Sequence, residues 1–540
     1  MPRCSKGLRP GSVFTVLGAV LVFGICQTVQ AATLCVNPTG SSGCQTTIGK
    51  AVTAASAGDT VQVAAGTYKE DVTIGKPLSL IGAGSALTII DATGLANGIV
   101  VDGVDNAGLS NVVIAGFTVE NANFEGILVE NSSNVTIWQN QILKNNVSLN
   151  VSESSCPGLP AAFQAGEAFD CGEGLHFSGV DHSVALDNVI QNNAGGILLS
   201  DDTGATFDNV ITRNTVSNNP FDCGITLASH SGMGVYSNTI ANNLSMNNGN
   251  KAPGAGAGVG LFAPGPGSQT YGNVIINNQL IGNGLPGVAM HNHAAPPGAP
   301  AVKLSDNIIV GNVISANGAD TDDAATPGTA GINLFSLAPV TGTVVVGNTI
   351  GQEHLAVVFN APSGQVSASL NNLLSPIGVD NAGTGTVNAP ENWWGCTQGP
   401  NAGGCSLTLG SGISYTPVLA SAFNLGQLAA PPGSVTPPPT TSGVTIVVTG
   451  PGGATSPTNT FQVFVNNVTL DASQSKSTNA GALSYSWSVA PGFPTGGGIV
   501  GANTAKATFQ LTTPQTYQYT LTVTDSTGAK ATTTVTIQYI

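Results

Sequence analysis

The sequence predicts an all-β protein, a right-handed parallel β-helix solenoid followed by a small Ig-like antiparallel β-sandwich. Three observations carry that expectation. A Gly-led strand phrase recurs through the middle of the chain, an Asn-led phrase recurs between its copies, and after a Pro-rich break the chain turns to Thr- and Val-rich alternating runs.

The Gly-led phrase reads Glu125-Gly126-Ile127-Leu128-Val129, Gly174-Leu175-His176-Phe177, Gly196-Ile197-Leu198-Leu199, Gly224-Ile225-Thr226-Leu227, Gly258-Val259-Gly260-Leu261, Gly287-Val288-Ala289-Met290 and Gly331-Ile332-Asn333-Leu334. Its alternation points one set of side chains inward and the other to solvent. The second phrase is Asn-x-Ile, as at Asn140, Asn188, Asn209, Asn238, Asn273 and Asn348. Asn tolerates the left-handed backbone region, and stacked Asn side chains satisfy one another along a solenoid. The closest copies lie roughly 20 to 30 residues apart, one coil of a parallel β-helix. Wider gaps, from Gly126 to Gly174 and from Gly287 to Gly331, place insertions on particular coils.

A solenoid needs covered ends. Residues 46–57, with Ile48, Val52 and Ala55 at helical spacing, predict a capping helix at one end. The segment around Trp393 and Trp394 is expected to close the other. The β-helix is placed at residues 32–428, a Pro-rich extended linker at 429–442 and the sandwich at 443–540, where runs such as Tyr519-Thr520-Leu521-Thr522-Val523 alternate.

Arg3, Lys6 and Arg9, the apolar run Val13 to Ile25 and Val29-Gln30-Ala31 make residues 1–31 read as a signal peptide. The expected product is a secreted, monomeric protein of the extracellular space, periplasm or cell surface, with no membrane span after cleavage. An oxidising compartment fits the cysteines: Cys35 with Cys44, Cys156 with Cys171 and Cys396 with Cys405 are the expected disulfides, which leaves Cys223 over. Cys-x-x-Cys and Cys/His ligand spacings are absent, which argues against structural zinc. A net charge of -15 with 13 basic residues opposes nucleic acid as a partner. A neutral polysaccharide meets no such repulsion, and an anionic one would need calcium as a bridge.

Ala64-Ala65-Gly66-Thr67-Tyr68 through Ile74, continuing to Leu80-Ile81-Gly82-Ala83-Gly84, resembles the opening coil of pectin-lyase-like β-helix proteins. Glu391-Asn392-Trp393-Trp394-Gly395 with Gly399-Pro400 resembles a phrase near the end of secreted β-helix domains. Leu470-Asp471-Ala472-Ser473, Tyr485-Ser486-Trp487 and Leu521-Thr522-Val523-Thr524-Asp525 resemble PKD domains. The resemblances span nearly the whole mature chain and imply its fold. They say little of its reaction, because β-helix scaffolds host several chemistries. The catalytic phrases of pectinesterases are missing, and polygalacturonases are resembled only at Asp201-Asp202. Between residues 115 and 420 the basic residues are Lys144, Arg213, Lys251 and Lys303, few candidates for a lyase base. Four Met and six His make a poor soft-metal surface of the kind expected in nitrous-oxide-reductase maturation proteins.

Stacked in register, the outward positions form a column holding Glu130, His176, Ser178, Ser200, Thr226, His291 and Asn333, with Asp201, Asp202, His230 and His293 at or just past strand ends. Asp201 and Asp202 are the candidate acid and base of a hydrolase, with His176 and His291 orienting the sugar. Glu130, Ser178, His230, His293 and Asn333 are the candidate substrate contacts. Successive strand residues face opposite ways, so the Asp pair requires a turn, and its alternative reading is a plain turn before Gly204. Asp320, Asp322 and Asp323 offer hard oxygen ligands to calcium, or are turn residues; no motif demands a cofactor. Two functions remain side by side: a polysaccharide lyase or hydrolase acting along the solenoid face, and a non-catalytic adhesion protein that presents the PKD-like module.

Overall fold

The computed structural model describes residues 31–147, 172–251, 256–292, 298, 300–321, 323–326, 328–423, 444–450, 459–463, 467–477, 479, 481–490, 493–512 and 515–539. The leader up to Gln30, Cys156 and Cys171, His293, Asp322 and the linker 429–442 lie outside the described residues. The chain divides into two compact units, Met1–Ala429 and Ala430–Ile540.

In the first unit the described residues form parallel sheets of 14, 12 and 11 strands, with a short four-stranded sheet beside them. Each coil gives one strand to each long sheet, so neighbours in a sheet come from successive coils. Ile127–Glu130, for example, pairs with Ile99–Asp102 on one side and Glu173–Ser178 on the other. The inward positions Ile127, Val129, Leu175, Phe177, Ile197 and Leu199 join a single buried core that runs from Val36 to Trp394. Each such side chain contributes about 1.5–3 kcal/mol by leaving water.

Three ladders of Asn side chains tie the coils together. In the longest, Asn140, Asn188, Asn214, Asn243, Asn278, Asn312, Asn348, Asn371 and Asn392 each hand an amide N–H to the Oδ1 of the next, at 2.9–3.2 Å. Every backbone N–H in the row from Asn140 to Asn371 also donates to that oxygen. One detail differs from the sequence expectation. The left-handed residue is the one before each ladder Asn, with φ of 53° at Asp187, 54° at Arg213, 56° at Asn242 and 55° at Asn277. The ladder bonds over-determine that turn, so even Arg213 and Leu370 hold a conformation that costs of order 1 kcal/mol.

The ends are closed as expected. Ile48–Ala54 is helical and buries Ile48, Ala51 and Val52. Its first amides, on Ile48 and Gly49, donate to the Glu70 carboxylate at 2.8 and 2.9 Å. Cys35–Cys44 and Cys396–Cys405 are disulfides, and Trp394 is fully buried. Trp138 lies 40% exposed on an outward strand position. Among the described residues no helix is long and apolar enough to cross a membrane.

The second unit pairs Ser484–Val489, Gln515–Thr524 and Lys530–Tyr539 antiparallel, and packs them around Trp487, Phe509, Tyr517, Tyr519 and Leu521. Trp487 meets Phe509 edge-on and donates its indole N–H to the Thr504 carbonyl at 3.1 Å, as expected of a core residue.

Candidate active site on the twelve-stranded sheet

Strand alternation in the twelve-stranded sheet leaves two outward columns. Register pairs Asp102, Glu130, Ser178, Ser200, Ala228, Phe262, His291, Phe335 and Asn360 in one. The other contains Leu128, His176, Leu198, Thr226, Gly260, Ala289, Asn333, Val358 and Asp380. The predicted outward residues do face away from the core, split between these columns. The expectation that they lie open to solvent is corrected: Glu130, His176, Ser178, Ser200, Thr226, His291 and Asn333 are all buried. Side chains beyond the strand ends fold back and bond them; Thr203, for instance, donates its hydroxyl to the Ser178 carbonyl at 2.6 Å and faces the Ser178 hydroxyl at 3.1 Å.

Asp201 and Asp202 have separate fates, so they do not form an acid–base pair. The Asp201 carboxylate accepts from Ser229 Oγ at 2.8 Å and from the backbone amides of His230, Ser231 and Gly234 at 2.5–2.9 Å. Four donors leave it the work of holding the turn of the next coil. Asp202 turns the other way and receives His230 Nδ1 at 3.0 Å, while its Oδ2 is buried with no partner among the described residues. Burial alone would raise the Asp202 carboxyl, but the hydrogen bond and charge of His230, with His176 nearby, bring it below the usual range. Glu130 moves in the opposite direction. Burial raises it most, Asp102, Glu125 and Asp105 add to the rise, and His176 opposes it.

A further buried group stands on the neighbouring outward column. His176 Nδ1 is 3.2 Å from Glu125 Oε1, and its Nε2 is 2.8 Å from Ser200 Oγ. Glu125 and Glu173 were not among the sequence candidates. A signal for them exists: a Glu precedes the rung Gly in two successive copies, Glu125-Gly126 and Glu173-Gly174, and register stacks these copies directly.

A second group lies farther along the same face. His291 sits between Phe262 and Phe335, edge-on to both, and its Nε2 bonds the Asp320 carboxylate. Asn333 donates to Asp320 at 2.9 Å and to Asp323 at 3.3 Å, and Asn360 donates to Asp323 at 2.7 Å. Asp320 and Asp323, the candidate calcium ligands, are therefore buried and engaged by protein donors that compete with a cation for the same lone pairs. His230, a candidate substrate contact, is likewise spent on Asp202. Away from this sheet, an open cleft of about 470 Å³ is lined by Val147, Asn192, Asn218, Phe221, Asn247 and Lys251, among others.

Residues 80–266 match the family model of a right handed beta helix region, and residues 459–538 match that of a PKD domain. Among solved structures, a nucleoside hydrolase-related hypothetical protein from Saccharophagus degradans is 22% identical over 18% of this chain, with a TM-score of 0.16. The chain spans 25% of that protein's length. DFA-IIIase from Arthrobacter chlorophenolicus A6 is 12% identical, covering 69% of this chain and 96% of its own, with a TM-score of 0.43. The tailspike protein gp49 of Acinetobacter baumannii bacteriophage Fri1, a capsular polysaccharide depolymerase, is 10% identical over 95% of this chain and 78% of its own, with a TM-score of 0.38. No curated protein matches the chain at a significant level.

Proposed function

We propose that this chain, a right-handed parallel β-helix followed by a PKD domain, is an exported enzyme that hydrolyses a glycosidic bond of a neutral polysaccharide laid along the twelve-stranded sheet. The observation that carries this reading is the placement of Glu130 and Asp202. Glu130 shares a register column with Ser178 and Ser200, and Asp202 follows Ser200 by two residues, two coils along the stack from Glu130. Two coils correspond to roughly 9–10 Å between backbones, since neighbouring strands lie about 4.8 Å apart. Backbones at that spacing are compatible with carboxyl groups that flank a sugar and a water.

In this reading Glu130 is the acid and protonates the leaving glycosidic oxygen. Asp202, positioned by His230, takes a proton from the water that attacks the anomeric carbon as the carbon–oxygen bond breaks. The products are a reducing end and a free hydroxyl. Opposite displacement of the two carboxyls supports the assignment, because a protonated acid beside an ionised base is what the step requires. The acidic net charge favours an uncharged polymer, and the basic, apolar leader with two disulfides supports export.

The test is a reducing-sugar and unsaturated-product screen of the mature chain, residues 32–540, against plant, algal and bacterial glycans. Reducing ends without unsaturated products, lost in Glu130→Gln and Asp202→Asn, are expected. Unsaturated products would move the assignment to a lyase. Absence of both turnover and binding would overturn it in favour of a surface protein that presents the PKD domain.

A further inference from the structure

We infer that Glu125, Glu173 and His176 bind one divalent transition-metal ion, of the zinc or manganese class, in a buried cluster on the twelve-stranded sheet. The inference does not rest on the hydrolase reading, since neither Glu130 nor Asp202 is among the ligands.

The three residues stand on two adjacent coils, each is 1% exposed, and their ligand atoms lie within 4.8 Å of one another. Three features ask for a cation there. The first is the placement of His176. Its Nε2 lies 2.8 Å from Ser200 Oγ and its Nδ1 lies 3.2 Å from Glu125 Oε1. With Nε2–H donating to the Ser200 oxygen, the Nδ1 lone pair faces the carboxylate and is available to a cation. An imidazole held by an outer hydrogen bond so that its other nitrogen points at carboxylates is the usual arrangement of a metal-ligating His.

The second feature is unpaired acceptor capacity: Glu125 Oε2 is buried with no hydrogen-bond partner among the described residues. Space is provided beside Glu173, where Gly195 lacks a side chain and a Cβ would come within 3.0 Å of Glu173 Oε1.

The third is charge balance. Two buried carboxylates this close need compensation, because uncompensated charge in the interior costs several kcal/mol or more. The basic side chains of residues 115–420 are placed elsewhere. Lys144 pairs with Glu120, Arg213 with Asp187, Lys303 covers Tyr271, and Lys251 lines the separate cleft. An imidazole nitrogen with two carboxylate oxygens suits zinc or manganese, whereas calcium takes six to eight oxygens.

The test uses the full mature chain, stripped with EDTA and titrated with ZnCl2, MnCl2 and CaCl2 by calorimetry and thermal melting. One zinc or manganese ion per chain, a raised Tm, and affinity roughly tenfold or more lower in Glu125→Gln and Glu173→Gln are expected, a loss of the size seen when a metal site is perturbed. Asp320→Asn, on the distant group, should bind as the unaltered chain does. Absorption of the Co2+-loaded unaltered chain checks nitrogen ligation without any substitution. Failure to bind, binding unchanged by both substitutions, preference for calcium, or a metal-free Glu125→Gln that melts higher with no ion response would each overturn the site and leave a shared proton as the compensating charge.

Discussion

Asp201 and Asp202 are neighbours with one chemistry and two environments. Four donors, three of them backbone amides, consume Asp201, whereas Asp202 keeps one oxygen without a donor and meets an imidazole with the other. Asp201→Asn is expected to cost stability, roughly 1–3 kcal/mol for each amide left without an acceptor, read as a lower Tm with an unmoved pH profile. Asp202→Asn is expected to abolish turnover while the fold persists. The pH dependence of turnover follows from the two displacements. Glu130 must be protonated and its carboxyl is raised, so activity is lost only as pH climbs past the ordinary Glu range; Asp202 must be ionised and is lowered, so activity persists below the ordinary Asp range. A kcat/KM profile whose limbs fall at ordinary carboxyl values would contradict the assignment.

Among elements, the Asn ladders bind one coil to the next independently of the core. Asn243→Ala removes the acceptor of the Asn214 backbone and side-chain amides and the donor to the Ile211 carbonyl. The expected loss is roughly 1–3 kcal/mol per buried group left unpaired, measured by chemical denaturation. The ladder of Asn145, Asn193, Asn219, Asn248, Asn283 and Asn317 ends differently, with Asn317 donating to Glu353 rather than to another Asn. Burial raises the Glu353 carboxyl despite those bonds. A carboxyl raised on folding binds its proton more tightly in the native state, so its contribution to stability declines as pH rises from the unfolded value through the folded one. Glu353→Gln keeps an acceptor and removes the charge. It is expected to melt higher than the unaltered chain at neutral pH and alike at acidic pH; an equal gain at both would show that charge is not the cause.

The whole molecule comprises two units with separate cores. Two melting transitions are expected, with Trp487→Ala lowering one of them by about 3–5 kcal/mol of unit stability and leaving the other in place. The two disulfides each close a loop of sequence separation 9 at opposite ends of the solenoid core. Reduction should cost the β-helix about 2.5 kcal/mol per bridge by the chain-entropy account. Calorimetry with and without reductant measures this, and the transition lowered by Trp487→Ala is expected to stay fixed.

Local, repeated signals determined much from the sequence alone: the solenoid from its Gly-led and Asn-led phrases, the inward and outward sets from period-two alternation, the capping helix from Ile48 and Val52, and the end bridges from paired cysteine spacing. These features are legible because neighbouring residues and the recurrence of one phrase suffice to specify them. Tertiary structure alone decided which outward residues meet. His176 finds Glu125 and Ser200 across separations of 51 and 24 residues, and Asp202 finds His230 across 28. Neither the burial of that face nor the diversion of Asp201 to a turn could be read from composition, because desolvation and donor supply depend on loops arriving from other coils. Glu173 was legible only in part, since its place beside Glu125 requires the stacking register as well as the repeated Glu-Gly pair. A β-helix writes its scaffold into a periodic sequence, but its chemistry lies in the exceptions to the period, whose neighbours are set by packing.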